Sequence, residues 1–171
     1  VETPLNINGE WRDGAEGETY EELNPATEEV IATMASGTRQ DSLDALAAAD
    51  EAQAGWAHTS PRERAEILRK GYDLVKERKE AFAAIMTTEM GKSYTEALGE
   101  VDYGADYLLW FSEEANHFFG HTNRYPAKGN RMVTVRKPVG PCLLITPWNF
   151  PLSMATVSYT HLRAHETLRY L

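Results

Sequence analysis

The chain has 171 residues, 42% of them hydrophobic and 25% charged, with a formal net charge of −9 and a single cysteine. That length suits one domain rather than a two-domain enzyme, the acidic balance argues against a general nucleic-acid binder, and one cysteine excludes an intrachain disulfide framework. No apolar run approaches the ~20 residues that cross a bilayer, and Val1-Glu2-Thr3-Pro4 has neither the basic nor the apolar region of a signal peptide, so no membrane association and a cytoplasmic location are expected.

Leu5-Asn6-Ile7-Asn8-Gly9-Glu10-Trp11 alternates apolar and polar residues and predicts a strand that meets a turn at Asp13-Gly14. Tyr20 to Leu23 and Val30 to Met34 read as strands on either side of the turn Asn24-Pro25-Ala26-Thr27. Three helices follow. Thr38 caps the first, with Asp41 in its first turn and Leu43, Leu46, Ala49 and Trp56 on one face. Ser60-Pro61-Arg62-Glu63 is a capping box with proline at the first helical position. Leu68, Tyr72, Val75, Phe82 and Met86 recur behind it at helical spacing, and Gly91 can end the element. Within it, Glu77-Arg78-Lys79-Glu80 reads as a solvated helix face. Ser93-Tyr94-Thr95-Glu96 opens the third helix, whose stripe of Ala97, Val101, Leu108, Phe111, Ala115 and Phe118 runs towards Gly120. These aromatic and Met stripes are read as core.

Met132-Val133-Thr134-Val135-Arg136 alternates and is β-branched, which predicts a strand on an exposed sheet. The turn Tyr125-Pro126-Ala127-Lys128-Gly129-Asn130 could pair it with Thr122-Asn123-Arg124, a weak partner. After Pro138-Val139-Gly140-Pro141, the run Cys142-Leu143-Leu144-Ile145 lacks alternation and suits a parallel strand covered on both faces. Cys142 inside that strand reads as an inert core thiol. Prolines then bracket the exit loop, and Pro151 suits the first position of a helix. Ligands of open α/β sheets bind beyond the carboxyl ends of strands, and Asn149 stands at such a point. From Val157 the composition shifts to a basic, His-containing tail. His161 and His165 are spaced as zinc ligands can be, but with no third ligand and no HExxH order no metal is expected.

Pro147-Trp148-Asn149-Phe150-Pro151, preceded by Lys137-Pro138-Val139-Gly140-Pro141, resembles the aldehyde dehydrogenase superfamily. Asn24-Pro25-Ala26-Thr27 and Glu89-Met90-Gly91-Lys92 extend the likeness, which is colinear over roughly residues 5–156. Thr88 to Lys92 and Ile145 to Pro151 look most like succinate-semialdehyde dehydrogenases. The resemblance implies an α/β fold, the N-terminal part of a Rossmann-like aldehyde dehydrogenase. Its strand region and three helices would occupy 1–120 and a subunit-joining β-hairpin arm 121–138. The first sheet strand and oxyanion loop would occupy 139–156, and 157–171 would be a tail outside the family pattern.

The family oxidises an aldehyde to an acid with NAD or NADP: a cysteine thiolate adds to the carbonyl, hydride leaves for the nicotinamide, and a glutamate-activated water hydrolyses the thioester. By its place in the motif Asn149 is the catalytic donor to the oxyanion, a neutral amide that neither titrates nor adds charge. Thr146, Pro147, Trp148 and Asn149 would line the cofactor cleft, and Phe150 and Met154 the aldehyde tunnel. The family's nucleophilic cysteine, glutamate base and glycine-bearing cofactor loop lie downstream. The expectation is therefore the front part of a longer, homo-oligomeric enzyme, inactive as given. Two other readings stay open: a non-catalytic module pairing with full-length subunits through its hairpin, and a stand-alone dinucleotide binder. So does the choice between NAD and NADP, and of the aldehyde.

Overall fold

A computed structural model describes residues 2–117, 119–124 and 130–164. Five short strands come first: β1 (Glu2–Thr3), β2 (Leu5–Ile7), β3 (Glu10–Arg12), β4 (Thr19–Leu23) and β5 (Val30–Ala35). β5 is central to a three-stranded sheet, parallel to β1 and antiparallel to β4. Leu5 to Trp11, expected as one strand ending at Asp13-Gly14, is instead the β2–β3 hairpin. The turn falls at Asn8-Gly9, where both residues have positive φ, 55° and 81°. Two left-handed residues match the right-handed twist of the flanking strands, so this dipeptide outweighs the alternation around it. The turn between β4 and β5 forms as read, with the Asn24 side-chain oxygen accepting from the Ala26 N–H at 2.9 Å.

The helices begin where the capping residues place them. α1 (Arg39–Ala57) carries the reciprocal Thr38–Asp41 capping box, and α2 (Pro61–Glu77) the Ser60–Glu63 box. Asp41 is buried beyond its capping role. It accepts from the Ala15 N–H at 3.0 Å and pairs with Arg12 at 2.8 Å, fastening the β2–β3 hairpin to α1. The Ala15 and Thr38 N–H groups and the Thr38 hydroxyl stabilise its charged form, lowering its pKa to about 2.

The single helix expected from Ser60 to Gly91 is two. Arg78, at φ −102° and ψ 19°, leaves helical geometry and separates α2 from α3 (Lys79–Met90). The break falls within the charge run expected to be a continuous solvated face. Lys76 and Lys79, on either side of it, converge on Asp102 at 2.5 Å each. Periodicity alone hides such a break because apolar positions resume in phase after it.

Gly91 closes α3 in the left-handed conformation at φ 78°, its N–H donating to the Thr87 carbonyl. α4 (Tyr94–Glu114) starts at Ser93 and passes into a 3₁₀ turn over Ala115–His117, before the stop expected at Gly120. Ala97, Val101, Leu108 and Ala115 of its stripe are buried as read, while Phe118 lies outside the described residues. Two apolar clusters fill the space between helices: Ala65, Leu68, Leu108, Ala115 and Ala164, and Ala83, Met86, Ala97 and Val101.

β6 (His121–Arg124) and β7 (Arg131–Thr134) pair antiparallel, so Thr122 to Arg124 does serve as the partner strand. Of the turn expected over Tyr125 to Asn130, residues 125–129 lie outside the described residues. Cys142 to Ile145 differs from expectation: it forms no strand with any described residue, and Leu143 and Ile145 are 79% and 88% exposed. An apolar run becomes a strand only when neighbouring strands accept its backbone hydrogen bonds, and none of the described residues do. α5 (Pro151–Ala164) starts at Pro151 as read and includes residues 157–164. Thr160 and Ala164, from the compositionally distinct end, are buried against the bundle.

Candidate active site

The loop before α5 is held from below by one carboxylate. Glu100 lies on the buried stripe of α4, one turn after Ala97, and is only 4% exposed. Its carboxylate accepts from the Leu152 N–H at 2.9 Å and the Ser153 N–H at 3.2 Å. These are two of the first-turn amides of α5 that have no partner within the helix, and the positive end of the helix dipole favours the charge there. α5 can come this close because Gly104 follows on the same stripe. A Cβ at Gly104 would lie 3.3 Å from Leu152 Cγ, Ser153 Cα and Thr156 Oγ1.

Lys92 completes the arrangement from the other side. The left-handed turn at Gly91 redirects the chain after α3, and the Lys92 ammonium pairs with Glu100 while donating to the Asn149 carbonyl oxygen at 3.0 Å. The ammonium also stands 4.1 Å from the centre of the Phe150 ring, a cation–π contact. The backbone of the loop is thus fastened at Asn149, Leu152 and Ser153, and the Phe150 carbonyl starts the helical ladder by accepting from the Met154 N–H at 2.9 Å.

Asn149 and Phe150 border a pocket of about 370 Å³ together with Lys92, Glu96, Glu100 and Tyr103. Asn149 is exposed, at the turn between the extended run and α5. Thr146 is half-buried and Pro147 exposed. Trp148 is 78% exposed and borders a separate cavity with Pro25, Phe82, Met86 and Glu89. Burial, then the charge of Glu22, raises the pKa of Glu89 there. Met154 is half-buried within α5. Of the expected site residues, then, Asn149 and Phe150 share one pocket, and Trp148 borders a different cavity.

Cys142 sits elsewhere. It is half-buried, its thiol 3.5 Å from the Gly140 carbonyl, and it lines a cavity with Leu43, Leu46 and Ala49 of α1. The α1 face expected to be core is thus turned in part to this cavity, with Leu43 and Leu46 substantially exposed. His161 packs edge-to-face on Phe111 with ring centres 5.4 Å apart, and His165 lies outside the described residues.

Reading the sequence did not single out Glu100 or give Lys92 a role beyond its motif. The available signal was a carboxylate at helical spacing between Ala97 and Gly104, where an apolar side chain would be expected.

The profile of the aldehyde dehydrogenase family matches residues 11–162. The chain belongs to that family. As an aldehyde dehydrogenase it is 57% identical over 127 residues to the succinate-semialdehyde dehydrogenase of Paenarthrobacter nicotinovorans, covering 74% of this chain and 28% of that protein. It is 36% identical over 150 residues to the NADP(+) succinate-semialdehyde dehydrogenase of Escherichia coli K12, covering 88% and 31%. Among solved structures, an aldehyde dehydrogenase from Brucella melitensis biovar abortus superposes with a TM-score of 0.94 at 40% identity, covering 98% of this chain and 35% of that one. The chain therefore spans about a third of the length of these aldehyde dehydrogenases, and the α/β architecture expected from sequence is theirs over that part.

Proposed function

We propose that this chain is the amino-terminal section of an NAD(P)-dependent aldehyde dehydrogenase that oxidises a semialdehyde, with succinate semialdehyde the leading substrate. Asn149 is its oxyanion donor. The observation that carries this reading is how the Asn149 loop is fastened. Its backbone carbonyl is engaged by Lys92 and the amides behind it by Glu100, while the residue itself borders a pocket at the start of a helix. A side-chain amide on so constrained a backbone can meet negative charge as it builds on the carbonyl oxygen without first reorganising. Being neutral, it supplies that stabilisation over the whole working pH range.

The substrate assignment is supported by the two semialdehyde dehydrogenases among the relatives described above. Thr146, Pro147 and Trp148 form an open, largely apolar surface beside Asn149. That surface fits one wall of a nicotinamide cleft but offers no cationic group for phosphates. NAD or NADP, when bound, supplies the hydride acceptor. Phe150 and Met154 are assigned to the aldehyde side of the site. Cys142 is not the nucleophile, because it faces the cavity beside α1 and not the pocket at Asn149. The thiolate and the general base come from other parts of the whole enzyme, and the 171-residue chain alone is inactive. The β6–β7 hairpin, with Val133 exposed on it, is assigned to contacts between subunits of the whole protein. The location is assigned to the cytoplasm; among the described residues no helix is long and apolar enough to cross a membrane.

The test is turnover of succinate semialdehyde by the full-length enzyme, compared with glutarate semialdehyde and with each cofactor. Asn149→Ala should lower kcat by roughly 10²–10³-fold with little change in KM. Absence of semialdehyde oxidation, or full activity in Asn149→Ala, would overturn the assignment.

A further inference from the structure

We propose that Lys92 and Glu100 are positioning residues for Asn149, setting the direction of its side-chain amide through a buried ion pair that lies outside the reacting groups. The proposal rests on the reading of Asn149 as the oxyanion donor. Its geometry is independent of that reading. Glu100 comes from the second turn of α4 and Lys92 from the α3–α4 turn, yet they meet beneath a loop about 50 residues further along the chain. Their side chains are 1% and 10% exposed.

Each partner holds a different side of the loop. Glu100 accepts from the amides of Leu152 and Ser153, fixing the rotation and height of the first turn of α5. Lys92 donates to the Asn149 carbonyl, fixing the peptide plane that follows the Asn149 side chain, and lies against the Phe150 ring. Either contact alone would leave the loop free to pivot about the other. Together they leave little freedom for the Asn149 Cα–Cβ direction. A structural helix cap would need only the carboxylate–amide bonds. Here the carboxylate is charge-paired to an ammonium that also touches Asn149 and Phe150, two residues lining the pocket. An oxyanion donor gains its effect from preorganisation, and a displacement of about 1 Å can cost roughly a hundredfold in rate.

The test uses the full-length enzyme carrying this segment. Glu100→Gln keeps an acceptor for the α5 amides but removes the charge that holds Lys92. Lys92→Met removes the contact to the Asn149 carbonyl, and Lys92→Arg restores a cation. Glu100→Gln and Lys92→Met should each lower kcat roughly tenfold to a hundredfold while KM for cofactor stays within about twofold, and Lys92→Arg should recover part of the loss. On an Asn149→Ala background the same changes should cause no further loss, because they act through that amide. Thermal melting identifies any variant that fails to fold. For such a variant, amide exchange at Leu152 and Ser153 in Lys92→Arg provides the second measurement, with protection close to that of the parent expected. Unchanged kcat in Glu100→Gln and Lys92→Met, losses additive with Asn149→Ala, or unprotected amides in Lys92→Arg would overturn the positioning role. Unchanged kcat in Asn149→Ala would instead overturn the reading of Asn149 itself.

Discussion

Replacing glycine by alanine at two positions should move stability in opposite directions. Gly91 ends α3 at φ 78° and ψ 12°, and a Cβ there would lie 3.0 Å from Pro25 Cγ. A left-handed backbone costs an L-residue about 1–2 kcal/mol. The reduced freedom of the unfolded chain returns about 0.4–1 kcal/mol, but the Pro25 contact adds to the cost, since its ring belongs to the turn fixed by Asn24. A net destabilisation of about 1–2 kcal/mol follows. Gly55 lies within α1, and nothing stands within 4 Å of an added Cβ. There alanine should stabilise by up to about 1 kcal/mol through helix propensity alone. With a urea m-value of about 2 kcal/mol/M, the two midpoints should separate by about 1 M when unfolding is followed by tryptophan fluorescence. If Gly91→Ala unfolds at or above the parent midpoint, or both variants shift the same way, the argument from backbone conformation fails.

Leu68→Ala should cost about 2–5 kcal/mol, because Leu68 is nearly fully buried between α2 and α4. Its neighbour Ile67 is half exposed, so Ile67→Ala should cost about 1 kcal/mol or less in the same urea titration. Gly104→Val places a branched side chain where α5 meets α4. It should destabilise by about 1–3 kcal/mol and speed amide exchange at Leu152. Acid should weaken the fastening of the hairpin to α1. The pKa of Asp41 is about 2 when folded, below its ordinary value of 3.8, so its contribution is complete above about pH 4. It is lost as pH falls from there through 2. Asp41→Asn should lower the urea midpoint at neutral pH and flatten its decline over that window. An identical slope in parent and variant would show that Asp41 is not the group responsible.

Helix starts were legible because a cap is a local event. Thr38, Ser60 and Ser93 each bond to an amide three residues on, so sequence neighbours carry the whole signal. The turn at Asn24 and the start of α5 at Pro151 were legible for the same reason, as was the exposed turn at Asn149 between its prolines. The Asn8-Gly9 hairpin was equally local, and the alternation around it obscured it. The split at Arg78 was not legible, because the convergence of Lys76 and Lys79 on Asp102 brings together residues from different helices.

The long-range contacts belong to tertiary structure alone. Whether Cys142 to Ile145 is a strand depends on neighbours that could accept its hydrogen bonds, and its own side chains hold no information about them. The meeting of Lys92, Glu100 and the first turn of α5 likewise depends on how closely two helices approach at Gly104. A motif can show that an asparagine is presented at a turn. Which charges hold that turn in place is decided by packing, because burial makes a lone carboxylate costly and a paired, hydrogen-bonded one tolerable.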